Sequence, residues 1–488
     1  MRKTALKIGL SLIIALFAGT VAAQDGILLP DMGGTATRVL TAEQEQTFAR
    51  DFERYMRANN LLVEDPMITD YLKDMGFRLV AQSARPKADF HFFVMRDPGV
   101  NAFASVAGVI GLNAGFILLA EDESEVAGVV AHEIAHITQD HLARGLENQQ
   151  QVSFPMMLAT LGLAIAAGAA GNAEATQAVM MSGMGLAQQF QINHTRQSEA
   201  EADRIGLGLL GRAGYDPHGM TRIFERMNVH GRAMGPGPPE YLRTHPLTVN
   251  RIAEARSRAE SLVPREQRSG LDFHFVQARL RVLMSDRQEQ NQDWFRNRME
   301  RGQRPPEAMR YGLVLALTKA GQFDQAAETL QPLLSADPNR QIYRLLEAEL
   351  LVAQRRTDEA LEILSELYRH FPGSRMVTTQ YAQTLMHVPD PTHTDRAVEV
   401  LRRHVQNDPL DLRMTELYAR AADRAGDSVR AAEALADSYY LRGGVAEAIE
   451  QLERLNNRMD LDYYQRARIN ARLIELRSEL LRTASRNR

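Results

Sequence analysis

The spacing of hydrophobic and polar positions changes several times along the chain, and each change marks a different kind of element. The first 23 residues run from the positive "MRKTALK" through the apolar "IGLSLIIALFAG" to small residues in "TVAAQ". That layout is a secretory signal peptide cleaved after Ala23. Residues 24–40 read as a linker. "TAEQEQTFARDFERYMRA" then opens with Thr41 and Gln44 in a capping-box arrangement and continues as an amphipathic helix. "FHFFVM" (Phe90 to Met95) and "GVIGL" (Gly108 to Leu112) are short apolar runs that predict strands, and a long helix is expected over Glu123 to Ala143. Residues 41–264 are thus expected to form an α+β domain, mostly helical with a small sheet.

After residue 265 the strand pattern stops and a repeat begins. Ala326, Ala360, Ala397 and Ala431 each have a leucine four residues on, and the steps between them are 34, 37 and 34 residues. Pro338, Pro372 and Pro409 each follow their alanine by twelve residues. A small residue lets paired helices approach, and a proline cannot continue a helix. A period of this length predicts tetratricopeptide repeats over 265–488, an all-α solenoid. The three extra residues fall in the loop "HVPDPTHT", and Ala448 with Leu452 predicts one more hairpin near the end.

A third pattern interrupts the first domain. Between Glu147 and Arg196 the only charged residue is Glu174. "FPMMLATLGLAIAAGAAG" approaches the hydropathy of a membrane span, but Pro155 and the many Gly and Ala residues weaken it, and the glutamine-rich second arm does not suit a bilayer. Residues 146–196 read as an apolar hairpin of two helices that folds over a cleft or touches a membrane surface.

Composition narrows the function classes. The 488 residues exceed what one core usually serves, which agrees with two domains. A net charge of −4 lacks the basic excess of a nucleic-acid-binding protein. The chain has no cysteine, so disulfides are excluded and any metal site must use His and carboxylates. The signal pattern makes the periplasm the expected compartment.

The chemistry sits in "VVAHEIAHITQDH". Residues four apart on a helix share a face, because each residue turns about 100° and rises about 1.5 Å. His132 and His136 can therefore point at one atom, with Glu133 beside them. Imidazoles at this spacing suit zinc, and the carboxylate is placed to take a proton from water. A third ligand is expected from "TRQSEAEADRIG". There Glu199, Ala202, Asp203, Gly206 and Leu210 share a face, thin enough at Ala202 and Gly206 for close helix packing. Glu199 is the expected ligand, and Asp203 the acceptor that fixes the tautomer of a ligating histidine. Glu201 points to the opposite side and reads as a solvated charge. His141 and His194 also read as solvated. The "GVIGL" strand, followed by Asn113, is expected to offer an exposed edge beside the cleft, to which a peptide adds by backbone pairing.

"AHEIAH", "TRQSEAEAD" and the later "THPLTVNRI" together resemble the HtpX-like, CAAX-prenyl-protease-related zinc metallopeptidases. The order of signal peptide, peptidase and repeats is similar to that of periplasmic proteases of this group. The resemblance implies a zincin-type domain with one zinc per chain, His132, His136 and Glu199 as ligands, and Glu133 as general base. It implies peptide-bond hydrolysis in outer-membrane protein assembly and quality control. The expected partners are unfolded or stalled outer-membrane proteins as substrates and the outer-membrane assembly machinery held by the repeats. In such a mechanism His245 and Arg251 are candidate oxyanion donors. His245 is equally a candidate to fill the open zinc position and hold the enzyme shut.

Two other functions share these features. In one, a chaperone-like assembly factor works through its repeats, with proteolysis latent or secondary. In the other, an intramembrane protease requires residues 154–171 to span. An intact ligand set favours the periplasmic enzyme.

Overall fold

The computed structural model describes residues 42–141, 196–233, 239–262, 270–302 and 305–486. The expected signal peptide, the linker and His194 lie outside these residues, as does the apolar hairpin except for Arg196. No described helix is long and apolar enough to cross a membrane.

Helix α1 (Ala42–Ala58) buries Phe48 and Ala49, and α2 (Pro66–Val80) starts where Asp65 accepts a hydrogen bond from Met67 N at 3.1 Å. Three strands follow: β1 (His91–Met95), β2 (Ala102–Ala104) and β3 (Val109–Asn113). The order is β1-β3-β2, with β1 parallel and β2 antiparallel to β3. This corrects the expectation for "GVIGL". Every residue of β3 is buried, the strand lies between two partners, and the edges belong to β1 and β2. A fully apolar run is the pattern of a strand enclosed on both faces rather than one offered to a ligand. Before β3 the chain turns through Ala107 and Gly108, both at positive φ; a Cβ on Gly108 would stand 2.0 Å from Asp89 O.

After the short α3 (Ala114–Leu119), α4 (Glu123–Thr138) begins at Asp122, which accepts from Glu125 N at 3.1 Å. It stops at Thr138, short of the expected Ala143, because Asp140 adopts φ 53° and its carboxylate pairs with Arg85. Helices α5 (Arg196–Arg212) and α6 (His218–Ala233) cross α4 closely. At the second crossing a Cβ on Gly219 would meet the Ser124 backbone at 2.4 Å. Helix α7 (Glu240–Thr244) and α8 (Val249–Glu260), the latter capped by Thr248, complete the part of the fold that carries the site.

From there the described chain is helical: α9 (Leu271–Leu283), α10 (Gln288–Glu300), α11 (Pro306–Lys319), α12 (Phe323–Ala336), α13 (Gln341–Ala353), α14 (Thr357–His370), α15 (Arg375–Leu385), α16 (Pro391–Asn407), α17 (Leu412–Arg424), α18 (Ser428–Leu441), α19 (Val445–Asn456) and α20 (Tyr463–Arg486). Pro338, Pro372 and Pro409 each fall just beyond a helix end. Ala326, Ala360 and Ala397 are fully buried with their leucines. Phase slips at the fourth repeat, where Ala431 and Leu435 are half-buried and α18 packs instead through Ala434 and Ala436. There the long α20 lies against α18, joined by Arg468–Glu433 at 2.8 Å. One hydrophobic core includes residues from Val63 to Leu350, so the first repeat helices share it with the part of the fold that precedes them.

Candidate metal centre

Two helices and one loop bring the chemical groups together. α4 and α5 cross closely because Ala202 and Gly206 are small: a Cβ on Gly206 would lie 3.2 Å from His132 N. From α4, His132 and His136 approach with their Nε2 atoms 2.9 Å apart. From α5, Glu199 places Oε1 3.4 Å from His136 Nε2 and Oε2 3.6 Å from His132 Nε2. The loop after α7 adds His245, whose Nδ1 is 3.1 Å from Glu199 Oε1 and 3.3 Å from His132 Nε2. All four side chains are buried, and these four are one of two groups among the described residues that could hold a metal ion.

The donors fit a tetrahedral ion. Ligands at zinc distances stand about 3.3 Å apart at the corners of a tetrahedron. The separations here, 2.9 to 3.6 Å, bracket that value. Electrostatics agree. Burial disfavours a charged His132, yet Asp203 and Glu199 outweigh it and push its pKa up to about 10. Burial also works against an ionised Glu199, but His245, His132 and His136 hold it well below the usual carboxylate range. The pocket stabilises positive charge among these donors.

Glu133 differs from its neighbours. It is 1% exposed, both carboxylate oxygens lack a hydrogen-bond partner, and His245 Nε2 stands 3.6 Å from Oε1. A buried carboxylate without a hydrogen bond is costly, and such groups mark sites that act on something else.

Asp203 lies behind His132, with Oδ1 3.0 Å from Nδ1 though off the ideal N–H direction. Arg251 grips Asp203 through Nε and Nη2 at 2.8 and 2.9 Å, and also reaches Glu199 Oε2 and the Pro246 carbonyl, each at 2.8 Å. That geometry favours a positioning role for Arg251 over the expected oxyanion donor. Its guanidinium is occupied in fixing the two carboxylates that frame the metal site.

Three residues were missed or misplaced from the sequence. His141, expected in solvent, is 3% exposed, with Nδ1 2.9 Å from His136 Nδ1. Glu201, expected as a solvated charge, meets His141 Nε2 at 3.1 Å. Tyr241 carried no sequence signal; its ring stacks on His245 with centroids 4.6 Å apart, and its buried hydroxyl has no partner. Among the described residues the arrangement offers a cation cage, a carboxylate base beside it, and a histidine seated between the two.

Comparison with known proteins agrees with this geometry. The model of Peptidase family M48 matches residues 66–259, and a tetratricopeptide-repeat model matches 311–375. The beta-barrel assembly-enhancing protease of Escherichia coli (strain K12) is 33% identical over 474 residues, 96% of this chain and 95% of that protein. The putative beta-barrel assembly-enhancing protease of Vibrio cholerae is 34% identical, covering 93% of each. The mitochondrial metalloendopeptidase OMA1 of Arabidopsis thaliana is 33% identical over 36% of this chain and 34% of its own. A histidine pair placed to hold a metal beside a buried acid, followed by a helical repeat array and matched along nearly its whole length, places the chain in peptidase family M48 as a metalloendopeptidase.

Proposed function

We propose that this chain is a zinc endopeptidase of the periplasm that acts in the assembly and quality control of outer-membrane proteins. The observation that carries the chemistry is the buried Glu133 carboxylate, neither oxygen of which is hydrogen-bonded, beside four converging donor atoms. His132, His136 and Glu199 hold the ion, one per chain, and Asp203 with Arg251 keeps His132 and Glu199 in place. Zinc bound there supplies Lewis acidity, polarising a peptide carbonyl and making water easier to deprotonate. Glu133 accepts the proton of the attacking water on a carboxylate oxygen and returns it to the departing amine. The enclosed β3 leaves β2, the edge strand packed beside α4, as the strand that pairs with a substrate backbone.

His245 has two opposed roles to choose between. Its Nδ1 lies inside the donor set, so the resting-ligand role is the better supported, with an oxyanion donor as the alternative. The names of the full-length relatives and the signal pattern support the compartment and client class. The repeats of 265–488 recruit the client or the assembly machinery, while residues 41–264 form the catalytic domain.

The test uses purified, zinc-loaded protein and an unfolded outer-membrane protein as substrate. His245→Ala is expected to raise proteolysis while metal content stays constant; a fall in rate with metal retained assigns His245 as the oxyanion donor instead. Adding Glu133→Gln to the His245→Ala protein is expected to lower the rate on the order of 10²–10⁴-fold, as for a lost general base. The seated His245 also favours a second reading, an assembly factor whose proteolysis is latent. Full rescue of cells by Glu133→Gln alone would establish that reading.

A further inference from the structure

Each ligating histidine of the proposed centre is backed differently. Behind His132 stands Asp203, a carboxylate locked by Arg251. Behind His136 stands a second ring, His141, and behind that ring Glu201, whose side chain is 31% exposed. We propose that His141 and Glu201 form a two-step relay that fixes the His136 tautomer, making both positioning residues for the metal. The inference rests on the metal-centre reading above and extends it to two residues outside the ligand set.

The argument follows the protons. To present the Nε2 lone pair to a metal, His136 carries its proton on Nδ1. The atom 2.9 Å from that Nδ1 is His141 Nδ1, which must then accept and be unprotonated. His141 keeps its own proton on Nε2, and the atom 3.1 Å from Nε2 is Glu201 Oε2, an acceptor when ionised. One carboxylate, two rings from the ion, thus selects one tautomer for each imidazole. Without it the His141 ring could carry its proton on Nδ1, facing His136 with a donor and opposing the ligating form.

The backbone is shaped for this contact. On a continuous helix His141 would stand five positions after His136, about 140° around the axis and out of reach. The break after Thr138 removes that separation. Asp140 takes φ 53°, its N–H bonds to Ile137 O at 3.1 Å, and Arg85 holds its carboxylate from the turn that follows α2. Glu201 fits the same geometry. It lies two residues beyond Glu199 on α5, hence on the opposite side of the helix from the metal, and it meets His141 there.

Outer partners of this kind typically change metal affinity 10- to 100-fold when removed. The measurement is the rate at which a chelator strips zinc from the intact protein, with ¹⁵N NMR of the histidine side chains as a second readout. His141→Phe keeps an aromatic ring but offers no acceptor, and is expected to speed zinc release about 10- to 100-fold. His141→Asn places a carboxamide oxygen near the position of the lost Nδ1, and is expected to restore release to within a few-fold of the parent. Glu201→Gln retains an acceptor without its charge and is expected to speed release only a few-fold. Glu201→Leu removes the acceptor at a half-exposed position and tests the relay even if His141→Phe does not fold. In the parent, NMR is expected to show His136 protonated on Nδ1 and His141 on Nε2.

The relay is overturned if His141→Phe and Glu201→Leu both release zinc at the parent rate. It is also overturned if His141→Asn releases zinc as fast as His141→Phe, since packing alone would then explain the loss. A parent protein that binds no zinc would sink the metal-centre reading itself, a result distinct from zinc binding that ignores His141.

Discussion

At the residue scale, the pocket is organised by which carboxylate has which cation. Glu199 faces the histidine nitrogens directly, whereas Glu201 reaches His136 only through His141. Zinc content, measured by elemental analysis after dialysis, is therefore expected to collapse in Glu199→Gln and to stay near the parent value in Glu201→Gln. The reverse order would mean that α5 presents its other face. Arg251 offers a second residue-level test. It is 7% exposed and is the cation shared by Asp203 and Glu199, both buried. Removing one member of a buried ion pair costs about 3–5 kcal/mol, because a charge is left without compensation. Arg251→Met is expected to lose stability of that order in urea unfolding of the metal-free protein. If Arg251 were instead a free donor awaiting substrate, its removal would leave stability nearly unchanged and lower only the rate.

At the element scale, the close crossing of α4 and α5 sets the distance between the proposed ligands. A Cβ on Gly206 would stand 2.9 Å from Met220 Cε and 3.2 Å from His132 N, so a methyl pushes directly on the helix that carries the histidines. Gly206→Ala is expected to cost about 1–3 kcal/mol through overpacking and to weaken zinc binding as Glu199 moves away from His132. Gly208 is the control: its Cβ would meet only the flexible end of Arg212, at 3.1 Å. Gly208→Ala is expected to leave both quantities unchanged or gain slightly in stability. Unequal zinc affinities with equal unfolding free energies would rule out the packing account. This crossing was legible in the sequence, because helical phase alone puts Glu199, Ala202, Asp203 and Gly206 on one face. The in-phase prolines were legible for the same reason, since a proline acts on its own helix. What escaped was whatever depends on distant chain. The helix break that turns His141 inward is held by Arg85, 55 residues before Asp140. "GVIGL" is an interior strand because β2, three residues long and too short to show a period, pairs along its other side. The fourth repeat drifted out of phase where α20 packs against α18.

At the scale of the whole molecule, the repeats are tied back to the domain that carries the site. Arg279 on α9 joins Asp65 and Glu349, and Arg54 on α1 joins Glu479 on α20 while lying 4.4 Å over the Tyr440 ring. Arg375 on α15 bridges Asp70 on α2, at 3.3 Å, and Asp411 before α17. Asp411 makes this junction sensitive to acid. Burial alone would raise its pKa, but His404 and Arg375, with the Met414 amide, outweigh burial and hold it well below the ordinary 3.8. For a carboxylate depressed in the folded state, the stabilising contribution is fully present above the unfolded pKa. It is lost as pH falls below about 4 toward the folded value, where the native state must also take up the proton. Asp70 works in the opposite sense, because burial raises its pKa despite Arg375. The native protein therefore sums both, and the comparison with Asp411→Asn isolates one. Urea unfolding at pH 6 and at pH 3 is expected to show a steeper loss of stability in the parent than in Asp411→Asn, with the variant less stable at pH 6. Because Arg375 pairs with Asp70 on α2, whose Ile68 and Leu72 share one core with Val129 and Val130 of α4, acid loosening at Arg375 has a path toward the helices that carry the histidines. Zinc release from the parent should consequently accelerate over the same interval more than from Asp411→Asn. Parallel pH slopes for the two proteins would show that Asp411 does not couple the repeats to the rest of the fold.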